Sequence, residues 1–195
     1  MIMAKLFYII GPSGAGKDAL INYLRKHFKP EDGIAFAHRY ITRDANAGGE
    51  NHVALSEKEF LHRQEAGLFS MDWQSHGNYY GIGLEIEGWL GRDINVVVNG
   101  SRSYLSEARN RFENLCPILV YVDSDVLRNR LLLRGRESDD EIEQRLAKAK
   151  QDESYFVSQN DILRVENNGS LEEAGKHLFD LIVEEKNCIQ QQAYQ

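Results

Sequence analysis

The sequence is short of several things, and each shortage excludes something. It has two cysteines in 195 residues, Cys116 and Cys188. Their spacing fits no metal motif, and two reduced thiols in a cytoplasmic protein are expected. No apolar run comes near the ~20 residues needed to span a bilayer. Met1 to Leu6 shows no charged region ahead of a long apolar stretch, so no signal peptide is expected. Positive charge is also scarce. Lys and Arg number 23 against 30 Asp and Glu, for a formal net charge of −7. Neither nucleic acid nor an anionic membrane is expected as a partner. An anionic substrate must then be drawn by a local basic cluster.

What is present is enough for one domain with a buried core, at 42% hydrophobic and 27% charged residues. Leu6 to Ile10, Ile94 to Val98, Ile118 to Val122 and Ile162 to Val165 read as short buried strands. Between them lie helical patterns at Ala19 to Phe28, Val126 to Leu133 and Leu171 to about Lys186. Ser56-x-x-Glu59, Ser138-x-x-Glu141 and Ser170-x-x-Glu173 are capping-box signatures that mark helix starts. Alternating strands and helices predict an α/β fold with a parallel sheet covered on both faces. The stretch 38–83, rich in Gly, Asn, His and aromatics, reads as a small inserted lobe, and 187–195 as a flexible polar tail.

Gly11-Pro12-Ser13-Gly14-Ala15-Gly16-Lys17 follows the first strand and opens the first helix. This is the context of a phosphate-binding loop. Its glycines let backbone N–H groups turn inward, the helix N-terminus adds unpaired donors, and Lys17 adds a point charge for the β- and γ-phosphates. The hydroxyl residue usual after the lysine is replaced by Asp18. A carboxylate is a hard-oxygen ligand for Mg²⁺; it is equally a first-turn acid favoured by the helix dipole.

From Gly11 to about Gly169 the chain resembles the guanylate kinase family. The loop, Thr42-Arg43, Gly77-Asn78-Tyr79-Tyr80-Gly81 and the spacing of Arg130, Arg134 and Arg145 carry the likeness. The resemblance implies a P-loop kinase with a five-stranded parallel core, an acceptor lobe inserted after the second strand, and a helical lid at about 130–150. It implies ATP as donor, held by the loop, Asp18 and Arg130, with Mg²⁺ at Asp18. Lys17, Arg134 and Arg145 would serve the transferring phosphoryl group.

The acceptor positions depart from that family. The acid expected six residues before Gly77 is Met71, the two acids of the strand near 97–99 are Val97 and Asn99, and the base-reading serine falls near Arg39. A phosphate-contacting tyrosine falls on His52 and a second phosphate-binding arginine on Asn46. Without the carboxylate, guanine's donors would be buried unpaired, at about 1–3 kcal/mol per group. Gly16-Lys17-Asp18, Glu50-Asn51-His52-x-x-Leu55-Ser56 and Asn99-Gly100-Ser101-Arg102 are instead similar to a narrower group, the ribose 1,5-bisphosphate phosphokinases of bacterial phosphonate catabolism. On that likeness Arg39, Arg43, His52, Tyr80, Asn99 and Arg102 would bind a phosphorylated sugar. The nucleophile would be an oxygen of its 1-phosphate, ionised at neutral pH because the second pKa of a phosphate monoester is about 6. No general base is then required. Alternative readings are a nucleoside-monophosphate kinase of altered base choice and a binding module without catalysis. For single residues the bland readings are a surface ion pair at Arg43, a solvated helix face for the lid arginines, and an N-cap or a Walker-B-like acid at Asp123. Oligomeric state stays open.

Overall fold

The computed structural model of the protein describes residues 4–45, 50–135 and 137–192, without the side chains of 153, 154, 157 and 188–192. Five strands form a parallel sheet in the order β2-β7-β1-β8-β9, where β1 is Leu6–Ile10, β2 Ile34–Phe36, β7 Asn95–Asn99, β8 Leu115–Tyr121 and β9 Leu163–Glu166. Every residue of β1 and β7 is buried, as a parallel sheet covered on both faces demands. The five-stranded α/β core expected from the sequence is present.

Side chains alternate across this sheet. Phe7, Ile9, Val97, Ile118 and Val120 point to one core, packed under α1 (Lys17–His27), α5 (Ser124–Arg134), α6 (Asp139–Val157) and α7 (Leu171–Gln192). Leu6, Tyr8, Ile10, Val96, Val98 and Leu119 point to the other, beneath α3 (Glu85–Leu90) and α4 (Leu105–Arg111). Leu20 and Leu24, four apart on α1, are fully buried, and each contributes about 1.5–3 kcal/mol.

A second sheet of four strands packs onto the latter core. Its order is β4-β3-β6-β5, with β3 at Arg39–Ile41, β4 at Val53–Ala54, β5 at Phe69–Ser75 and β6 at Asn78–Gly83. The two-residue turn joining β5 to β6 has φ of 48° at His76 and 72° at Gly77, the paired left-handed geometry that suits strand twist in a tight hairpin. α2 (Glu57–Glu65) precedes it.

Several elements depart from the expectation. β2, the sheet edge, was not visible because Ile34–Phe36 is three half-buried residues without alternation. β8 starts three residues before Ile118 and includes Pro117; β9 pairs only from Ile118, so the missing N–H removes no rung on that side. α7 runs on to Gln192, past the end expected near Lys186, so the polar tail begins as helix; 193–195 lie outside the described residues. Ser138 and Ser170 form reciprocal boxes with Glu141 and Glu173. Ser56 caps α2, but Glu59 does not return the bond: its carboxylate accepts from Arg63 instead, at 2.7 Å. Cys116 is a free thiol whose burial pushes it up to about 12, and the Cys188 side chain lies outside the described residues. Among the described residues no helix is long and apolar enough to cross a membrane.

Candidate active site

Because β1, β7, β8 and β9 run parallel, their carboxyl ends share one edge of the sheet. That edge is where open α/β sheets bind ligands. It delivers the loop after β1, Asn99 at the end of β7, and Asn167 just beyond β9. Together with the second sheet and α5–α6 it encloses a cleft of about 600 Å³.

The loop is held by close packing. Gly16, the N-cap of α1, has φ 87°, and a Cβ there would stand 2.6 Å from Asn167 Nδ2. That amide instead donates to the Ala15 carbonyl at 2.7 Å, and Arg130 donates to the Asn167 carbonyl at 2.8 Å. On the opposite side Gly100 sits against Tyr8: a Cβ would fall 2.3 Å from its ring, and the Tyr8 hydroxyl accepts the Ser101 N–H at 2.9 Å. A buried tyrosine thus fixes the 99–102 turn.

Lys17 donates to the carbonyls of Gly11 and Pro12, at 2.9 and 3.1 Å. Burial pushes its pKa down to about 8, opposed by the neighbouring Asp18 carboxylate. Asp18 accepts from Asn99 Nδ2 at 2.6 Å, and its own pKa is raised, first by burial and then by Glu50. The Asn99 Oδ1 atom is buried without a hydrogen-bond partner among the described residues. The second oxygen of Asp18 and this orphan carbonyl are two hard donors beside the phosphate loop. They fit Mg²⁺, which takes one or two protein ligands and completes its octahedron with phosphate and water.

The arginines fall into two pairs, each gathered by one carboxylate. Arg39 makes a two-point contact with Glu50, its Nε at 2.7 Å, and Arg43 stands 3.8 Å from the same group. Glu50 is 9% exposed. Arg134 pairs with Glu137, and Arg145 reaches the same oxygen at 3.2 Å while also donating to Ser13 at 2.9 Å. Glu137 is 5% exposed. Arg102 pairs with Asp152 on α6 at 3.0 Å. The Tyr80 ring lies beneath Arg39, 5.2 Å from its guanidinium carbon, and stacks on Trp73.

The cleft therefore gathers Gly11, Pro12, Ser13, Gly14, Gly16, Lys17, Asp18, Arg130, Arg134 and Arg145 on the loop side. Arg39, Arg43, Tyr80, Asn99 and Arg102 face them. Two expected residues do not reach it. Ala15 is fully buried, its N–H spent on the Pro12 carbonyl at 3.1 Å. His52 is buried with its ring nitrogens 3.2 and 3.1 Å from the carbonyls of Glu50 and Arg43. A neutral imidazole donates to only one of these, and the ring ties down the backbone that carries Glu50 and Arg43 rather than facing a ligand. Asn46 lies outside the described residues. Asp123 holds the N-cap position of α5 without capping it, because its carboxylate accepts the Tyr121 hydroxyl at 2.5 Å. Three residues had not been singled out, Glu137, Asp152 and Asn167, and Glu50 stood only within a matched segment, without a role of its own. Asn167 carried one sequence signal, a polar run ending a strand at the ligand edge; Glu137 and Asp152 look like ordinary surface charge until folded.

A glycine-rich loop at the ligand edge of a parallel sheet, faced by a second wall lined with arginines, defines a phosphotransferase of the P-loop kinase class. The guanylate kinase family profile matches residues 3–185. Ribose 1,5-bisphosphate phosphokinase PhnN of Thiobacillus denitrificans is 50% identical over 182 residues, covering 93% of this chain and 94% of that protein. PhnN of Yersinia pestis is 44% identical, over 95% of this chain and 100% of that one. The crystal structure of guanylate kinase from Anaplasma phagocytophilum superposes with a TM-score of 0.68 over 94% of this chain and 87% of its own, at 16% identity, a likeness of fold alone. The chain belongs to the guanylate kinase family and, within it, to the ribose 1,5-bisphosphate phosphokinase PhnN group.

Proposed function

We propose that the protein transfers the γ-phosphoryl group of ATP to the 1-phosphate of ribose 1,5-bisphosphate, giving ADP and 5-phosphoribosyl 1-diphosphate. The observation that carries this reading is the cation set of one cleft in an acidic protein. Lys17, Arg130, Arg134 and Arg145 stand on one side and Arg39, Arg43 and Arg102 on the other. Where a purine would need carboxylates, the chain has Met71 and Val97, 0% and 1% exposed. The names of the relatives at 44–50% identity support the same substrate.

In this reading an ionised oxygen of the 1-phosphate attacks Pγ. The bond from Pγ to the β,γ-bridging oxygen breaks, and its electron pair leaves on ADP. No proton moves, so no general base is used. The chain's task is to bring anions together in line. Lys17 meets the β- and γ-phosphates, Arg130 the donor, and Arg134 and Arg145 the equatorial oxygens, once they exchange Glu137 for phosphate. Arg39, Arg43 and Arg102 hold the acceptor. Asp18 and Asn99 would hold magnesium, which would supply further charge neutralisation on the donor phosphates. The working unit is a single domain over 1–186, with an acceptor lobe at about 38–83 and a lid at about 130–150 that closes on the donor, in a cytoplasmic protein.

A coupled ADP assay against GMP, AMP, ribose 5-phosphate and ribose 1,5-bisphosphate tests it. The bisphosphate is expected to dominate and GMP to be negligible. A higher kcat/KM for GMP would make the protein a nucleoside-monophosphate kinase instead.

A further inference from the structure

Beyond the acceptor wall the cleft continues into a narrow slot along α1. Asp18, Ile21, Asn22 and Arg25 line one side, a single face of the helix. Ala37, Arg39, Glu50, Asn51 and Asn99 line the other. We propose that the Arg25 end of this slot, with Asn22 and Asn51, is a subsite for the acceptor's second phosphate, the one on carbon 5. The inference rests on the ribose 1,5-bisphosphate reading and deepens it.

Three observations carry it. Arg25 is half-buried and has no carboxylate partner among the described residues; its guanidinium carbon lies 4.9 Å from the Phe36 ring centre. Each of the other slot and cleft arginines with a sequence-based acceptor role, Arg39, Arg43 and Arg102, stands within ion-pair distance of an acid. A desolvated guanidinium without a counter-ion is costly to keep, and burial lowers the pKa of Arg25 accordingly. A role with the helix dipole needs no burial, as its last-turn neighbours Lys26 and His27 are exposed. Next, the donor set is that of a phosphate site: a planar guanidinium with two amides. Asn51 also contacts His38 at 3.1 Å, and burial and Arg25 both lower the pKa of His38, so that ring adds a neutral group and not a second charge. Last, the spacing suits one ligand with two anionic ends. Seven residues of helix from Asp18 to Arg25 span about 10 Å, the scale of a ribose carrying a phosphate at either end.

The nearby acids are Asp18, bonded to Asn99, Glu50, paired with Arg39, and Glu85, which acts on His38. With Glu50 so paired the slot admits about 20 Å³, one water's worth. Entry of a phosphate thus requires Glu50 to yield Arg39 to the incoming dianion, the stronger acceptor.

The test uses the full chain with ribose 1,5-bisphosphate, with ribose 1-phosphate, which lacks the second phosphate, and with ribose 5-phosphate as a competitive inhibitor. Arg25→Gln is expected to raise the KM for the bisphosphate roughly ten- to a hundredfold with kcat nearly kept. The Ki of ribose 5-phosphate should rise in parallel, the KM for ATP should stay within twofold, and Arg25→Lys should restore part of the loss. Asn22→Asp, at an exposed helix position, adds a charge beside the slot and should weaken the bisphosphate alone should Arg25→Gln fail to fold. Equal losses on ribose 1-phosphate and the bisphosphate, an unchanged KM in both variants, or a parent enzyme that uses the two sugars equally well would overturn the subsite. A parent that prefers GMP would instead overturn the underlying reading.

Discussion

The two walls of the cleft hold arginines by the same device but build it differently. On the donor wall Arg134 and Arg145 share Glu137, in the short link between α5 and α6. On the acceptor wall Arg39 and Arg43 share Glu50, at the far side of a loop from β3. In both, a nearly buried carboxylate draws two guanidinium groups together and orients them. The Glu137 device is local in sequence, joining the end of α5 to α6. The Glu50 device spans a loop whose backbone His52 holds at Glu50 and Arg43, and it shares its slot with Asp18 and Asn99.

The largest expected effect breaks the symmetry between the walls. Lys17→Ala should cost about 10²–10³-fold in kcat, while acceptor binding, measured calorimetrically without nucleotide, stays near that of the parent. Retained turnover within a few-fold would remove the loop from the chemistry. Next comes the contrast of arginines. Arg43→Ala or Arg102→Ala should lower acceptor kcat/KM by about 1.5–3 kcal/mol, roughly ten- to a hundredfold, with little change in the KM for ATP. Arg134→Ala should depress kcat with either substrate saturating. If both walls respond alike, the division into donor and acceptor sides is wrong.

Asp18 lies between the walls and gives a smaller, diagnostic effect. Asp18→Ala should raise the magnesium needed for half-maximal rate several-fold, and Asp18→Ser, which restores an oxygen ligand, should be milder. A magnesium titration that neither change moves would leave Asp18 as a first-turn acid alone. The smallest effect is in pH. With burial holding Lys17 near 8, its charged form is lost as pH rises through that value. The kcat/KM for ATP should fall above about pH 8, and Lys17→Arg, charged throughout, should abolish that limb whatever its absolute rate.

Much of this was readable in the chain. The apolar runs and helical spacings located four of the five core strands and α1, α5 and α7, and capping serines marked the starts of α2 and α6, whereas α3 and α4 on the other face were not located. β1 and β7 were readable because a buried parallel strand is continuously apolar. β2 escaped because an edge strand of three half-buried residues carries no pattern. The loop glycines and Lys17 were readable because their geometry needs those residue types at that spacing. The arginines were readable only as a match of spacing, and their sorting into pairs was not.

The sequence by itself determined the α/β core, the phosphate loop and the replacement of base-reading acids, since each depends on residue type within a few positions of chain. Only the tertiary structure decided that Glu50 and Glu137 each gather two arginines, that Asn167 braces the loop, that His52 and Ala15 turn away from the cleft, and that Arg25 stands without an acid partner among the described residues. These depend on which groups, from 2 to 152 positions apart along the chain, come within reach of one another. Charge and hydrogen-bond partnerships act over a few ångströms of space, and residue order alone does not specify which groups share that space.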